Sequence, residues 1–484
     1  MRIRLTVFAT IFLVTMTTVV AIAAAKCSDP RVRKEIRDLT DDERERYIYA
    51  VKKVYDEGWL DNLTENHFTS GANVHGVPVF FPWHRQFIWD YENLLRKVDS
   101  EITLPYWDWT LDAAKPPLSQ VFHSNYMGGS GNPNQLNCLM NGPFRYWQVT
   151  TTVPHCLQRN FNMTQQFWGP DVLLEVQRNS QMYSDLQPLI ENTIHAIIHL
   201  FIGGDMAQLI STNDPIFFLH HAMVDKVWYD WQLMGEDSKR FHEYNGIDRT
   251  RSNVTVNPTD PLPEYTHLSV SDVLNPMGDL LCYKYAESKS QRSALALFDR
   301  YNRGNPPQSQ DEAVGIIASV LGYNPDAIDL SILTEEERTL KPHTGNPDWW
   351  NRQHNLDGDM VANSYEIATG ILQQLNQLAN YISPCVVQLA YVKAFGPRNP
   401  EDGVEPPPSG IGAGGVFQNT VNVATITGPP TVTISIGNVA TIEDRQAEEV
   451  KTFGGIFATL SLDGGISATQ QSLSNGISST QPSW

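Results

Sequence analysis

The segment Glu191-Asn-Thr-Ile-His-Ala-Ile-Ile-His-Leu-Phe-Ile202 carries two histidines and is followed by Gly203-Gly204. The apolar run and the terminating glycines predict a short helix over residues 191–202. Side chains four residues apart lie on one face of a helix, so His195 and His199 can present two imidazoles to one metal ion. An isolated pair with this spacing is more often two ordinary histidines, so the other histidines decide the interpretation.

Two more histidines lie on the next predicted helix. Asp214-Pro215 is predicted to open this helix, which continues to about Gln232. His220 and His221 are adjacent on it, and neighbouring residues of an α-helix point about 100° apart. We therefore expect only one of the two to join the first pair of imidazoles.

A second group of histidines lies upstream. His67, His75 and His84 fall within 18 residues, and Pro82 marks a point where a helix carrying His84 can begin. The two groups supply two sets of three imidazoles without cysteine or carboxylate partners. Imidazole suits copper, and a catalytic zinc ion needs only one such set. The sequence therefore predicts two copper ions that face each other and keep open positions for a small ligand.

Longer motifs surround these histidines. Val74-His-Gly-Val-Pro-Val-Phe-Phe-Pro-Trp-His-Arg85 resembles the first copper motif of the tyrosinase and catechol oxidase family, and Leu104-Pro-Tyr-Trp-Asp-Trp109 resembles the motif that follows it. Asn213-Asp-Pro-Ile-Phe-Phe-Leu-His-His-Ala-Met-Val-Asp-Lys-Val-Trp228 is similar to the second copper motif. Tyr283-Lys-Tyr285 resembles the tyrosine motif that closes the catalytic domain, and the region from Cys27 resembles its start in secreted fungal members. The resemblance covers roughly residues 27–286.

The resemblance implies a mainly α fold, with a four-helix-bundle core that holds a dicopper centre and with long irregular loops. It implies oxidation of o-diphenols to o-quinones by O2, with o-aminophenols or monophenols as further candidate substrates. The alternative is a hemocyanin-like protein that binds oxygen without turnover, because such proteins use the same six histidines. The implied ligands are His67, His75 and His84 for one copper, and His195, His199 and His221 for the other.

Three residues beside the ligands have expected roles that follow from the resemblance. Phe217 lies one helical turn before the last ligand and is expected to pack on the site, although an ordinary core position would also explain it. Arg85 and Asp225 are expected to brace the ligand helices.

The chain departs from the family pattern at several positions. Asn73 stands where many members carry a cysteine that is cross-linked to a histidine, so no thioether is expected. Ala196 stands where members that hydroxylate monophenols often carry an asparagine, and its side chain cannot form hydrogen bonds. The family's water-holding glutamate has no clear counterpart, because Glu191 is out of register. Leu200 makes the entrance apolar. Together these departures disfavour monophenol hydroxylation and leave diphenol oxidation intact.

The N-terminus predicts a secreted protein. Arg2 and Arg4 precede an apolar run that ends in small residues, which is the pattern of a signal peptide over residues 1–25. A transmembrane anchor is the alternative, because the run approaches 18 residues. N-glycosylation triplets support the secretory pathway. They begin at Asn62, Asn162 and Asn253.

The five cysteines predict two disulfides in an oxidising compartment. We expect Cys138 to pair with Cys156 across a loop, and Cys27 to pair with Cys282 so that the two ends of the main domain are tied. Cys385 is left over, and with an odd count other connectivities stay open.

Composition limits the partners. The chain of 484 residues has 35 Lys and Arg against 54 Asp and Glu, a formal net charge of −19, and no basic cluster. Nucleic acid is therefore excluded as an expected partner. We expect O2 and a small, preferably neutral phenol, and no membrane contact once the signal peptide is removed.

The chain is expected to have four parts. The signal peptide is followed by the dicopper catalytic domain over residues 26–286. A helical C-terminal extension over residues 287–400 is a candidate lid, with an inert tail as the alternative. Residues 401–484 are rich in Gly, Ser and Thr and fit a linker or tail, although alternating runs there also fit short strands.

Overall fold

The computed structural model describes residues 27–163, 167–342 and 345–396. Within these ranges α-helices predominate and the strands are short, so the prediction of a mainly α fold is confirmed. The predicted signal peptide at residues 1–25 and the predicted linker or tail at 401–484 lie outside the described residues. None of the helices in the described part of the chain has the length and apolar character that crossing a membrane requires.

The α-helices are numbered in chain order. They are α1 Asp41–Asp56, α2 Trp59–Val74, α3 Phe80–Val98, α4 Pro170–Asn179, α5 Tyr183–Ile190, α6 Ala196–Ile202, α7 Ile216–Leu233, α8 Val270–Val273, α9 Lys289–Asn302, α10 Gln310–Leu321, α11 Glu335–Arg338, α12 Asp348–Gln353, α13 Gly358–Leu375 and α14 Pro384–Phe395. A π-helical turn, Glu191–His195, joins α5 to α6 without a break.

Among the described residues, the strands form four two-stranded pairings. They are β1 Arg31–Arg33, β2 Gln148–Val149, β3 His155–Cys156, β4 Ile247–Asp248, β5 Val254–Thr255, β6 Pro261–Leu262, β7 Tyr265–Ser269 and β8 Tyr283–Tyr285. β1 pairs with β8 in parallel, and β2–β3, β4–β5 and β6–β7 pair antiparallel. Between α3 and α4, residues 99–163 and 167–169 otherwise form loops and short 3-10 turns, as the Pro, Gly and Asn content of this region predicts.

A bundle of helical segments forms the core and carries the histidines. These segments are α2, α3, the continuous α5–α6 unit and α7. α3 packs on α7, and α1 packs on both α2 and α3. The buried rings of Trp83, Phe87 and Phe218 fill the space between α3 and α7.

Two helix starts show why the elements begin where they do. Thr40 caps α1: its side chain accepts from the Glu43 amide while the Glu43 carboxylate accepts from the Thr40 amide, as the local sequence predicts. α3 begins at Phe80, two residues before the expected Pro82. A proline fits the first turn because the amides there have no partner inside the helix.

Two predictions about helix extent are wrong. The helical spacing of Tyr47, Val51 and Val54 predicts a helix over residues 31–60. Residues 31–33 instead form β1, because they pair with a strand more than 250 residues away. The helix predicted to start at Glu191 is the continuation of α5, which already begins at Tyr183. Its end at Ile202 is as predicted. Gly203 has a φ of 64°, and a Cβ there would lie 2.4 Å from the Asn160 carbonyl oxygen.

The helices after Tyr285 pack on one another and on the preceding part of the chain. α9 packs on α10 and α4, while α13 packs on α4, α5 and the π turn. The π turn carries His195, so α13 and its neighbours lie close to the predicted metal ligands.

Candidate metal centre

The first histidine cluster joins α2, α3 and the loop between them. His67 lies on α2, His75 follows the last residue of α2, and His84 lies in the second turn of α3. Their candidate ligand atoms lie within 4.8 Å of one another, and all three side chains are buried. The ring centroids are 5.2 Å apart for His67 and His75, 5.0 Å for His75 and His84, and 5.6 Å for His67 and His84.

The second cluster joins the π turn, α6 and α7. It contains four buried histidines whose candidate ligand atoms lie within 4.8 Å of one another, namely His195, His199, His220 and His221. The two Nε2 atoms of His199 and His221 are 3.3 Å apart. The two clusters face each other, because the rings of His84 and His221 stack with centroids 4.6 Å apart.

Backbone carbonyl groups hold five of these rings by their Nδ1 atoms. A ring nitrogen that faces a carbonyl oxygen carries the proton, which leaves the lone pair on Nε2. The Nδ1–oxygen distances are 2.8 Å for His67 to Leu209, 3.0 Å for His75 to Gly71, 2.8 Å for His84 to Phe80, 3.2 Å for His195 to Glu191 and 2.7 Å for His199 to Met206. Such bonds fix the tautomer that a metal ligand needs.

The donor set fits two copper ions. The buried Nε2 atoms of His67, His84 and His195 have no hydrogen-bond partner within the described part of the chain. Burial of a polar atom without a partner is costly, and one metal ion in each cluster would satisfy these lone pairs. All the donors are imidazoles, which copper accepts readily.

The imidazoles are neutral at physiological pH. Burial lowers the pKa of His67 to about 4 and the pKa of His199 to about 3. Burial, together with the neighbouring imidazoles, also holds the pKa of the remaining candidates well below the ordinary value; these are His75, His84, His195, His220 and His221. Neutral rings keep the lone pair that a metal ion requires.

Phe217 lies against the second cluster. Its ring stacks on His221 with centroids 4.1 Å apart and also touches His67 edge-on at 5.1 Å. The side chain is fully buried. It therefore contacts both clusters and limits how far the His221 ring can turn.

A buried ion pair joins the two helices that carry His84 and His221. Arg85 follows His84 directly, and its Nε donates to Asp225 Oδ1 at 2.6 Å. Tyr285 donates to Asp225 Oδ2 at 2.7 Å, and Tyr283 donates to the same atom. The pair thereby connects α3, α7 and β8, and its carboxylate is satisfied by several donors.

Both carboxyl oxygens of Glu191 accept hydrogen bonds beside the first cluster. Its Oε1 accepts from the Gly76 amide at 2.7 Å, and its other carboxyl oxygen contacts the Gln187 side-chain amide. Burial raises the pKa of Glu191 well above the ordinary value, although the two hydrogen bonds favour the charged carboxylate. It therefore holds the loop that follows His75.

Two residues of the C-terminal extension lie beside the clusters, and neither is predicted from the sequence. The ring of Trp350 on α12 is 5.5 Å from that of His199 and packs with Ala196 and Leu200. His354 is 5.1 Å from His75 and stacks on Trp350 at 3.6 Å. The sequence feature that could have identified them is a tryptophan and a histidine four residues apart in a polar stretch.

The covering segment, residues 346–357, is fastened at both ends. Near its start, the Asn346 side-chain amide donates to the Asn192 carbonyl on the π turn at 2.8 Å. At its end, Asp357 forms an ion pair with Arg249 at 2.7 Å. The predicted pocket residues Ala196 and Leu200 are therefore buried beneath this segment.

The cysteines pair as the sequence predicts. Cys27 and Cys282 form one disulfide across 255 residues, and Cys138 and Cys156 form another across 18 residues. Cys385 is a buried free thiol. Of the three glycosylation triplets, Asn62 and Asn253 are exposed and Asn162 is half-buried.

Comparison with known proteins agrees with the motifs. The family model for the common central domain of tyrosinase matches residues 47–234. The chain is 30% identical over 292 residues to the tyrosinase-like protein phomQ2 of Diaporthe leptostromiformis, covering 54% of this chain and 74% of that protein. It is 31% identical over 291 residues to the tyrosinase ustQ of Aspergillus flavus, covering 54% and 80%.

Among solved structures, a polyphenol oxidase of Thermothelomyces thermophila matches with a TM-score of 0.47 and 22% identity, covering 53% of this chain and 89% of that one. The two sequence relatives are matched over most of their own length. The chain therefore belongs to the tyrosinase family of type 3 copper oxidases.

Proposed function

We propose that this enzyme oxidises o-diphenols, and o-aminophenols of similar shape, to the corresponding quinoid products with O2. Two facing clusters of buried, neutral imidazoles carry the proposal. The proposed ligands of one copper ion are His67, His75 and His84, and those of the other are His195, His199 and His221. Copper, when bound, supplies reversible one-electron chemistry at each ion and the place where O2 is reduced. In balance, two diphenols and one O2 give two quinones and two waters.

The residues around the clusters orient the substrate ring. Phe217 stacks on His221. The apolar side chains of Ala196 and Leu200 pack against Trp350, which occupies the place proposed for the substrate ring. An aromatic side chain occupies this place, so a phenol ring of similar shape fits when the tryptophan leaves. The chain's negative charge further favours neutral phenols over phenolic acids.

A monophenol is a poorer candidate substrate. It must lose a proton before it is hydroxylated, which requires a base or a held water. Ala196 has no side-chain donor or acceptor, and the carboxyl oxygens of Glu191 already accept hydrogen bonds from the Gly76 amide and the Gln187 side chain. These contacts support diphenol oxidation over monophenol hydroxylation.

We further propose that residues 26–286 are the catalytic domain and that the extension over residues 287–400 is its lid. Trp350 and His354 cover one side of the two clusters, and we call this arrangement the closed form. Trp350 lies against Ala196 and Leu200, where we place the substrate ring, so the covering segment would have to move to admit it. The protein would then be latent until the segment is displaced or cut.

Oxygen uptake by the copper-loaded full chain tests these proposals. We expect little uptake by the native chain and at least tenfold more by the double variant Trp350→Ala/His354→Ala with 4-methylcatechol, at one O2 per two diphenols. With 4-methylphenol we expect no uptake. Trp349→Ala is the matched control, because that tryptophan is 42% exposed, and it should behave like the native chain.

The other outcomes are equally informative. Uptake with both phenols would contradict the role given to Ala196. Reversible O2 binding by the double variant without turnover of either phenol would favour the alternative function, an oxygen carrier whose covered site excludes substrates.

We also propose that the protein acts outside the cell. The two disulfides and the two exposed glycosylation triplets fit the secretory pathway. The predicted signal peptide agrees with this compartment.

A further inference from the structure

A seventh imidazole lies beside the six proposed copper ligands. His354 is 3% exposed and comes from the covering segment, more than 100 residues after the last proposed ligand. Its ring stands edge-on to His75 with the centroids 5.1 Å apart, and it is not part of either three- or four-histidine cluster. It therefore lies beside His75, on a segment that supplies none of the six proposed ligands.

The ring of His354 is as close to the ring of His75 as the rings of the first cluster are to one another. The three pairs within the first cluster have centroid distances of 5.0, 5.2 and 5.6 Å. The distance of 5.1 Å between His354 and His75 falls in the same range. Imidazole nitrogen binds a metal ion at about 2 Å, so neighbouring rings on one ion lie on the order of 5 Å apart.

The ring of His354 is in the tautomer that a ligand needs. Its Nδ1 faces the Trp350 carbonyl oxygen at 3.1 Å and therefore carries the proton, so the lone pair is on Nε2. The same pattern of one backbone carbonyl on Nδ1 holds His67, His75 and His84. Stacking on Trp350 fixes the plane of the ring.

The backbone next to His354 packs closely against the loop that follows His75. A Cβ on Gly76 would lie 2.3 Å from the Asn355 carbonyl oxygen, and Gly76 has a φ of 68°, so only glycine suits this contact. Leu356 packs with Trp350 and with Ala196 and Leu200. These contacts hold His354 at a fixed place beside the cluster.

We propose that His354 is an additional copper ligand, supplied by the covering segment in the closed form to the ion held by His67, His75 and His84. The inference rests on the copper assignment of the proposed function. The lid would then act in two ways, because the covering segment would occupy a coordination position of the copper ion as well as the space beside it. Opening the lid would then exchange an imidazole for a substrate or solvent ligand.

Copper affinity of the full chain tests the proposal independently of turnover. The key variant is His354→Phe, which keeps an aromatic ring on Trp350 and cannot coordinate. We expect a Cu(I) competition titration against bicinchoninate to show one copper ion bound about 10- to 100-fold more weakly in this variant and in His354→Ala. His267→Phe, at an exposed histidine, should match the native chain.

A second measurement separates coordination from packing. X-ray absorption of the Cu(I)-loaded native chain should fit seven imidazoles over two ions, and that of His354→Phe should fit six. Native copper affinity and unchanged spectra in a His354→Phe chain of native thermal stability would overturn the proposal. Weakened copper binding without any diphenol oxidation by the opened double variant would support the ligand and reject the proposed function.

Discussion

At the scale of single residues, the adjacent imidazoles of His220 and His221 have different surroundings. His221 stacks on Phe217, faces His84 across the centre and has its Nε2 3.3 Å from that of His199. His220 stacks on His195 at 5.5 Å, and neither of its ring nitrogens has a hydrogen-bond partner among the described residues. Within the described part of the chain, only His221 of the two makes a ring contact with the first cluster, through His84, which supports its assignment as the ligand.

Replacing each histidine in turn tests this assignment. We expect His221→Gln to retain about one copper ion per chain after dialysis, and His220→Gln to retain two, as measured by atomic absorption. The reason is that His221 supplies a donor directed at the centre, whereas His220 packs beside it. Loss of copper from His220→Gln alone would reverse the assignment.

The sequence predicts some residues of the centre better than others. His195 and His199 are recognisable because their spacing of four is a property of one helix. Trp350 and His354 are not, because the contact of His354 with His75 joins residues 279 positions apart and no local pattern encodes it. The sequence likewise favours one histidine of the pair at 220 and 221 only through the family resemblance.

At the scale of elements, a buried carboxyl group joins α4 to the segment that enters α14. Asp171, near the start of α4, accepts from the Tyr381 hydroxyl and from the Val172 amide at 3.0 Å. The other titratable groups close to it are Glu175 and the Cys385 thiol. Burial raises the pKa of Asp171 to about 6, from an ordinary value of 3.8.

This shift predicts a pH-dependent stability. The folded chain holds the Asp171 proton more tightly than the unfolded chain does. The stabilisation that comes from this bound proton is therefore complete below pH 3.8 and is lost as the pH rises to about 6. The loss is about 3 kcal/mol. Asp171→Asn should remove this part of the pH dependence, which urea unfolding at pH 4, 5 and 7 would measure.

The control for this prediction is Asp99→Asn, which alters a carboxylate that pairs with Arg46 near the surface. It should change the free energy of unfolding by less than about 1 kcal/mol and should keep the native pH dependence above pH 4. Identical pH profiles for the native chain and Asp171→Asn would contradict the prediction.

Elements with local signals are the ones that the sequence predicts well. Thr40 and Glu43 mark the start of α1 through a reciprocal cap, and Gly203 marks the end of α6. β1 has no such signal, because its partner Tyr283–Tyr285 is distant in the chain. The π turn at Glu191–His195 is also invisible in the sequence, since one extra residue in a turn leaves an apolar helical pattern almost unchanged.

At the scale of the whole molecule, the two disulfides constrain loops of very different size. Cys27–Cys282 spans 255 residues and lies beside the β1–β8 pairing, whereas Cys138–Cys156 spans 18 residues within a surface loop. A crosslink lowers the entropy of the unfolded chain more when the loop it closes is longer.

We therefore expect unequal losses of stability when each disulfide is removed. Cys27→Ser/Cys282→Ser should lower the free energy of unfolding by about 5 kcal/mol, and Cys138→Ser/Cys156→Ser by about 3 kcal/mol. Chemical unfolding of the copper-free chains would measure both. A larger loss for the shorter loop would show that native contacts, and not chain entropy, dominate.

The longer disulfide also determines how the protein would respond to a protease. Residues 27–282 form a covalently closed ring that contains every proposed copper ligand except His354. A single cut inside the ring leaves its fragments joined, so the mass in a non-reducing gel is unchanged. A cut between β8 and the covering segment instead leaves His354 and Trp350 on a piece held only by non-covalent contacts. Proteolytic maturation could thus discard the lid while the copper-binding ring stays closed.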